Sequence, residues 1–391
     1  METAKQSVIM AIGDLRGGGA ERVVVNLVNH WPSDRYRPVL LLAKRSGPYL
    51  VDVKPHVEVL SCDVSFRALE TPKALFRIRE LTMGIQPAAV FAHAIGTARM
   101  LARARALGML TAPLFMVLHA NVRSWIEDDR QRKMARWFLK RELGWMYSKA
   151  DRVIAVSQGA AAELKTVFPG KISSIETICN PVDLEQIDAA VQSPPSDAFL
   201  KTFIGLPKPI ILTVGRLSPE KNQALLLRAY ARMPRHARAS LVILGEGDTR
   251  ANLESLARDL GIDGETYFPG FVSNPWWYMH RSDLYVLSSK SEAYPMVLIE
   301  ALACGLPVVA TDCRHGPSEI IQSQAFGTLV PVDDPQTLAA AMFRSLKSRN
   351  AGPVFREEVR AFLESSRPEA VAQLYSKVVG NVCADEWRTS E

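Results

Sequence analysis

The feature that most constrains this chain is an alternation that runs twice. Short apolar, β-branched runs are separated by stretches of helical period. In the first half the runs are Val8–Ile12, Pro38–Ala43, Val57–Leu60, Ala89–Ala92, Leu114–His119, Arg152–Val156 and Ile175–Ile178. Helix-period stretches such as Glu21–His30, Pro72–Gly84 and Thr97–Leu107 lie between them. The scheme weakens at the Gln192–Pro195 stretch (QSPP). It resumes with Ile210–Val214, Ser240–Leu244, Thr266–Pro269, Leu284–Leu287, Pro307–Ala310 and Gly327–Val330. Strands that are apolar throughout and separated by helices belong to doubly wound parallel sheets, covered on both faces. The expectation is an α/β chain of two Rossmann-like domains facing across an interdomain cleft. Residues 1–185 would form the first and 186–370 the second, with a linker near 181–200 and a tail, 371–391, packing back on the first domain. In such sheets ligands bind beyond the carboxyl ends of the strands, so the loops after the strands carry the functional question.

Composition removes several classes. The chain has 391 residues, 48% hydrophobic and 23% charged, which is neither a disordered nor a collagen-like balance. No apolar run approaches the roughly 18 residues of a membrane-spanning helix, and the first residues lack the pattern of a secretory signal. Five cysteines, at 62, 179, 304, 313 and 383, are scattered and form no CxxC pair. That fits a reduced compartment better than a disulfide framework or a zinc site. Charge is uneven. Residues 1–185 carry 26 Lys/Arg against 18 Asp/Glu (+8), and residues 186–391 carry 21 against 23 (−2). A basic half suits an anionic surface, with nucleic acid and anionic lipid both open on charge alone.

Three loops carry chemistry. Gly13-Asp-Leu-Arg-Gly17-Gly18-Gly19-Ala20-Glu21 follows the first run. Glycines there let backbone approach a ligand, and the next helix presents its first N–H groups to an anion. A plain flexible turn is the competing reading. The spacing is neither a Walker A nor a clean GxGxxG, and the second run leads into Lys44-Arg45 where a dinucleotide site wants an acid. An NAD(P) oxidoreductase is therefore disfavoured. The loop after Ile210–Val214 is Gly215-Arg216-Leu-Ser-Pro-Glu-Lys221-Asn222. Arg216 can fork to two phosphate oxygens and Lys221 adds a point charge, a pair suited to a diphosphate. The third element is Ser291-Glu292-Ala293-Tyr294-Pro295-Met296-Val297-Leu298-Ile299-Glu300. Pro295 marks a helix start, which puts Glu292 in the loop before the helix and Glu300 one to two turns in. N–H groups from Tyr294 to Val297 would face phosphates.

Together with GGGAERVVVNL, ADRVIAVSQGAAAEL, ICNPVD, LGEGDTRANLESLA, FPGFVSNPWWYM and EALACGLPVVATD, these loops resemble the retaining glycosyltransferases of family four, with the glycosyltransferase-B fold, over nearly the whole chain. The resemblance implies a transfer of a sugar from a nucleotide diphosphate sugar, UDP with GDP as the alternative, to a glycan or lipid-linked acceptor in cell-surface polysaccharide or glycolipid synthesis. It assigns Gly17, Gly18 and Gly19 to the donor phosphates and acceptor, and His119 to the reacting sugar. Arg216 and Lys221 fall to the diphosphate, Glu292 to sugar hydroxyls, and Glu300 to the ribose. Gly245, Glu246 and Gly247, with Gly270, Phe271 and Val272, would line the nucleobase. Ala293, Tyr294, Pro295 and Met296 stand where relatives often have Gly-Phe-Pro-Asn, and with Val297 they are assigned to the donor; Met296 removes a polar side chain beside the phosphates. The sequence has no DxD carboxylate pair, so no cofactor and no metal are expected. A nucleic-acid partner is not implied. Rival readings on the same architecture are a nucleotide-sugar epimerase, a phosphorylase and a non-catalytic nucleotide-sugar sensor. Finally, 122–149 mixes basic residues with Trp125, Trp137, Phe138, Trp145 and Tyr147. Such a helix can lie in a membrane interface, or its aromatics can face the core. The first reading makes the chain cytoplasmic and docked on the inner face of the membrane.

Overall fold

In a computed structural model the chain divides into two units, Met1–Val182 with Ser365–Glu391, and Asp183–Glu364. The structure describes residues 5–32, 34–64, 71–126, 133–238, 240–348 and 357–389. The first division falls at Val182/Asp183, inside the stretch expected to be a linker. Helix Leu184–Gln192 belongs to the second unit. Asp183 caps it, its carboxylate accepting from the Gln186 amide. The second division falls at Glu364/Ser365, ahead of the expected position 370.

The strands of the first unit are β1 (Gln6–Ile12), β2 (Tyr36–Leu42), β3 (Glu58–Ser61), β4 (Ala89–His93), β5 (Leu114–Leu118), β6 (Arg152–Ala155) and β7 (Ile175–Thr177). Those of the second are β8 (Ile210–Val214), β9 (Ser240–Leu244), β10 (Thr266–Gly270), β11 (Leu284–Leu287), β12 (Ser291–Glu292), β13 (Val308–Thr311), β14 (Arg314–His315) and β15 (Thr328–Val330). Among the described residues the first unit holds a parallel seven-stranded sheet ordered β3-β2-β1-β4-β5-β6-β7. The second holds a parallel six-stranded sheet ordered β10-β9-β8-β11-β13-β15, and β12 pairs with β14 apart from it.

The strands are apolar throughout because both sheet faces are covered. Ile9 and Ala11 join Val39, Leu41, Val90 and Ala92 in one core. Val8, Met10 and Ile12 join Leu40, Leu42, Phe91 and Phe115 in the other. Successive side chains point to opposite faces, so neighbouring residues of β1 serve different cores. The second core also takes in Val371, Tyr375, Val378 and Val379 from the C-terminal helix, Pro368–Thr389, so the end of the chain completes the first unit.

Strand order reverses between β1 and β4 in the first unit and between β8 and β11 in the second. At such a reversal the connections leave in opposite directions and a crevice opens at the carboxyl ends. The glycine loop follows β1, the Arg216–Lys221 loop follows β8, and the Glu292 segment follows β11.

Candidate active site

In the second unit, two loops are stitched together at the β8/β11 reversal. Lys221 Nζ lies 2.6 Å from Glu292 Oε1. The same oxygen accepts from Ser289 Oγ at 2.6 Å. Ser288 Oγ donates to the Lys221 carbonyl at 3.1 Å, and the Lys290 amide donates to the Glu220 carbonyl at 2.8 Å. Gln223 Nε2 donates to the Arg216 carbonyl at 2.9 Å, which fixes the backbone behind an exposed arginine. Glu292 is buried and Lys221 is half-buried. A buried carboxylate needs this compensation, because an unpaired charge there is costly. Glu292 lies on β12, beside His315 on β14, instead of in an irregular loop.

Helix Met296–Ala303 starts after Pro295, and Ala293, Tyr294 and Pro295 are buried while Met296 and Val297 are half-buried. A side chain at Gly316 would strike Pro295 and the Tyr294 backbone, so the next helix packs directly against this turn. Glu300 is buried on the helix. Tyr285, buried on β11, donates to the carbonyl of Val214, the last residue of β8, at 3.2 Å. Burial holds its phenol neutral, and Glu292 and Glu300 push in the same direction. Burial likewise raises the Cys313 thiol to about 12, with Glu292 adding to the effect and Lys221 opposing it.

The loops after β8, β9 and β10 stack backbone on backbone. Gly215 N donates to Leu244 O, Gly245 N to Gly270 O, and Leu217 N to Glu246 O. Gly245 has φ +134, and an added Cβ would sit on the Gly215 carbonyl oxygen; one at Gly247 would sit on that of Leu217. Glu246 pairs with Arg250 at 2.6 Å, and Arg250 also holds Glu254 and the Phe268 carbonyl. Val272 is buried and Phe271 is exposed. Arg216, Lys221, Glu292, Ala293–Val297, Glu300, Gly245, Glu246 and Val272 thus all lie at the carboxyl-terminal edge of one sheet. Ser288, Ser289, Gln223 and Tyr285, which hold the set in place, were not legible as site residues.

In the first unit, Gly17 takes φ +108 and Gly18 caps helix Gly19–Asn29, which has no side-chain cap. His119 follows β5 and His93 ends β4. The sequence marks His119 alone, yet His93 Nδ1 and His119 Nε2 lie 2.9 Å apart. One shared proton fits between those nitrogens, so one ring donates and the other accepts. Burial drives the His119 pKa down to about 4, with Asn180 opposing. Burial lowers His93 as well, and His119 reinforces it. The unfolded chain protonates near 6.5 and the folded pair does not. Stability is therefore independent of the pair above pH 6.5 and falls as pH drops from 6.5 towards 4. We expect a loss of about 2 kcal/mol across that window, discounted for the partial exposure of His119. Denaturant unfolding of the wild type and His119→Gln at several pH values checks this. The wild type should lose stability relative to the variant below pH 6.5, and a constant gap would contradict the lowered pKa of the buried His119.

Two parallel sheets, each with its chemistry at the strand ends, define the glycosyltransferase-B class of fold. Solved structures share it. Anabaena Alr3699/HepE, in complex with UDP and glucose, superposes with TM-score 0.78 at 18% identity, covering 96% of this chain and 100% of that one. Sucrose-phosphate synthase from Thermosynechococcus elongatus gives 0.78 at 19%, covering 97% and 100%. At these identities the likeness is one of fold. The sequence goes further. Residues 17–186 match the model of Glycosyltransferase Family 4 and residues 198–362 that of Glycosyl transferases group 1. A Campylobacter jejuni N-acetylgalactosamine-N,N'-diacetylbacillosaminyl-diphospho-undecaprenol 4-alpha-N-acetylgalactosaminyltransferase is 30% identical over 363 residues, 88% of this chain and 90% of that relative. The lipopolysaccharide core biosynthesis glycosyltransferase LpsE of Rhizobium meliloti is 30% identical over 234 residues, 58% and 65%. This chain belongs to the group 1, family 4 glycosyltransferases.

Proposed function

We propose that the chain is a retaining, metal-independent transferase that moves a hexose or N-acetylhexosamine from a UDP-sugar to a lipid-linked glycan, in the assembly of a cell-surface glycan. The observation that carries this is the junction of the β8 and β11 loops, where Lys221 pairs with the buried Glu292 and Arg216 stands exposed on the same β8 loop. Arg216 is exposed and its loop is pinned from behind, so its fork is free to take diphosphate oxygens with little further ordering. Lys221 is held by Glu292 and offers its remaining N–H groups to the same anion. When the sugar–phosphate bond breaks, charge grows on the departing diphosphate. Fixed cations and the first amides of helix Met296–Ala303 stabilise that charge without reorganising, and so do the work a metal would otherwise do. The acceptor hydroxyl attacks from the face the diphosphate leaves, its proton passes to the departing diphosphate oxygen, and the α configuration is kept. Glu292 binds sugar hydroxyls and Glu300 the ribose. On the first unit, the glycine loop serves the acceptor and His119 the sugar. Support for the donor comes from the UDP bound in the HepE structure. Support for the acceptor comes from the diphospho-undecaprenol substrate in the name of the Campylobacter relative. No helix among the described residues is long and apolar enough to cross a membrane. The lipid-linked acceptor would be met at the inner membrane face.

The test is incubation of the purified chain with UDP- and GDP-sugars and a short-chain prenyl-diphosphate glycan, in the presence of EDTA. The expected result is UDP release that requires acceptor, with an α-linked product by NMR. Epimerised sugar, or release of a sugar phosphate without transfer, would contradict the reading.

A further inference from the structure

The helix Lys133–Tyr147 is apolar on two opposite faces, and only one has a partner within the fold. Leu143, Met146 and Tyr147 are buried in the core beneath the first sheet. On the other side Met134, Trp137, Phe138 and Trp145 are 72, 56, 58 and 37% exposed. At 100° per residue, positions 134, 138, 141 and 145 form one stripe, with 137 beside it. Trp137 and Phe138 meet edge to face with ring centroids 4.9 Å apart, and the Arg141 guanidinium sits 5.4 Å from the Trp137 ring centroid. Lys133, Lys140 and Arg141 are exposed around these rings. The acid of this helix, Glu142, points elsewhere and pairs with Arg99 and Arg103 of the neighbouring helix Ile95–Ala106. The same layer continues through helix Thr71–Ile85, which packs against Ile95–Ala106 and exposes Phe76 and Met83 with Lys73 and Arg79.

A surface patch of several large apolar side chains is uncommon on a protein that has nothing to cover it. Two features identify the occupant. Tryptophan beside arginine and lysine is the chemistry of a bilayer interface, where indole rings sit at headgroup level and the cations meet lipid phosphates. Residues 1–185 as a whole carry 26 Lys/Arg against 18 Asp/Glu, which complements an anionic leaflet. We propose that the outer stripe of helix Lys133–Tyr147, Met134-Trp137-Phe138-Trp145 with Lys133, Lys140 and Arg141, docks on the surface of an anionic bilayer. The helix lies in the interface plane, its aromatics inserted and its inner face still bound to the protein core.

Flotation of the full chain with vesicles tests this, with no donor or acceptor present, so a failure here leaves the transferase reading untouched. The wild type should float with phosphatidylglycerol-rich vesicles at low salt, and release as salt rises. Trp137→Ser combined with Phe138→Ser should reduce bound protein at least about tenfold. Lys140→Glu combined with Arg141→Glu should abolish the preference for anionic over phosphatidylcholine vesicles. All these side chains are exposed, so circular dichroism and thermal midpoint should match the wild type, as should transfer to a detergent-soluble acceptor. Wild-type protein that stays at the bottom of the gradient overturns the proposal, as does an aromatic variant that floats unchanged. A second copy of the chain as occupant would instead appear as a wild-type dimer that the aromatic variant converts to monomer, without lipid binding.

Discussion

Replacing Lys221 with alanine should lower kcat for sugar transfer about 10²–10³-fold, the cost of removing one fixed donor aimed at developing charge. Its ammonium lies 2.6 Å from Glu292, so the substitution has a second consequence. It leaves a buried carboxylate with Ser289 as its one remaining partner among the contacts described above. Stability should fall by about 3 kcal/mol. Glu292→Gln separates the two effects. The amide removes the charge, and its oxygen still accepts from Ser289, so the fold should stay near wild type. Transfer should nevertheless drop about 10²-fold, because the carboxylate is the group assigned to the sugar hydroxyls. The double variant is the discriminating case. With both charges gone, stability should recover towards the wild type while turnover stays low. Single-turnover kinetics and thermal unfolding on the four proteins check this. Turnover that recovers together with stability would make the pair a structural salt bridge and nothing more.

Gly245→Ala should cost about 3 kcal/mol or more and abolish donor binding. Two penalties combine at this position. Its φ of +134 is a backbone conformation that alanine rarely adopts, and the added methyl would occupy the place of the Gly215 carbonyl oxygen. Relief requires the loops after β8 and β9 to move apart. Those loops carry Arg216 at one end and Glu246 at the other, and Gly245 also donates to the Gly270 carbonyl. The contrast is Gly264→Ala, where an added Cβ meets nothing within 4 Å and no left-handed φ is required. That variant should be close to neutral. Denaturant unfolding of both proteins, alongside titration with UDP, measures the difference. Equal stabilities would mean that the close stacking of these loops carries no energy.

The strands were legible because each is apolar on both faces and bounded by a change of period, and the thirteen runs named from sequence all lie on strands of the two main sheets. Two short strands were not. β12 and β14 are two residues each, too short for any period, and they exist because the chain on either side brings Glu292 next to His315. Helix Leu184–Gln192 was missed for a different reason. Ser193, Pro194 and Pro195 after it have the composition of a linker, while its own Asp183 cap and buried Ile187 and Val191 tie it to the second unit.

The candidate site was legible where charge or glycine stands out against an apolar strand, as at Arg216, Lys221, Glu292 and Gly245. The groups that hold it were not. Ser288, Ser289 and Gln223 are ordinary polar residues until strand order puts β8 beside β11. His93 lies 26 positions before its partner, and only the adjacency of β4 and β5 makes the pair. Glu246, expected to line the nucleobase, pairs with Arg250 at the start of the helix that follows. The aromatics of Lys133–Tyr147 divide between core and solvent. Tyr147 faces the core, and Trp137, Phe138 and Trp145 face outward. Trp125 lies outside the residues whose side chains are described.

The central claim is that Arg216 and Lys221 grip the diphosphate of an activated sugar at the carboxyl ends of the second sheet. Calorimetric titration with UDP tests it most directly, because it needs neither acceptor nor turnover. The wild type should bind UDP with one site per chain, and Arg216→Ala and Lys221→Ala should each weaken that binding at least about tenfold, close to the loss of one charge-assisted hydrogen bond. Unchanged affinity in both variants would contradict the claim.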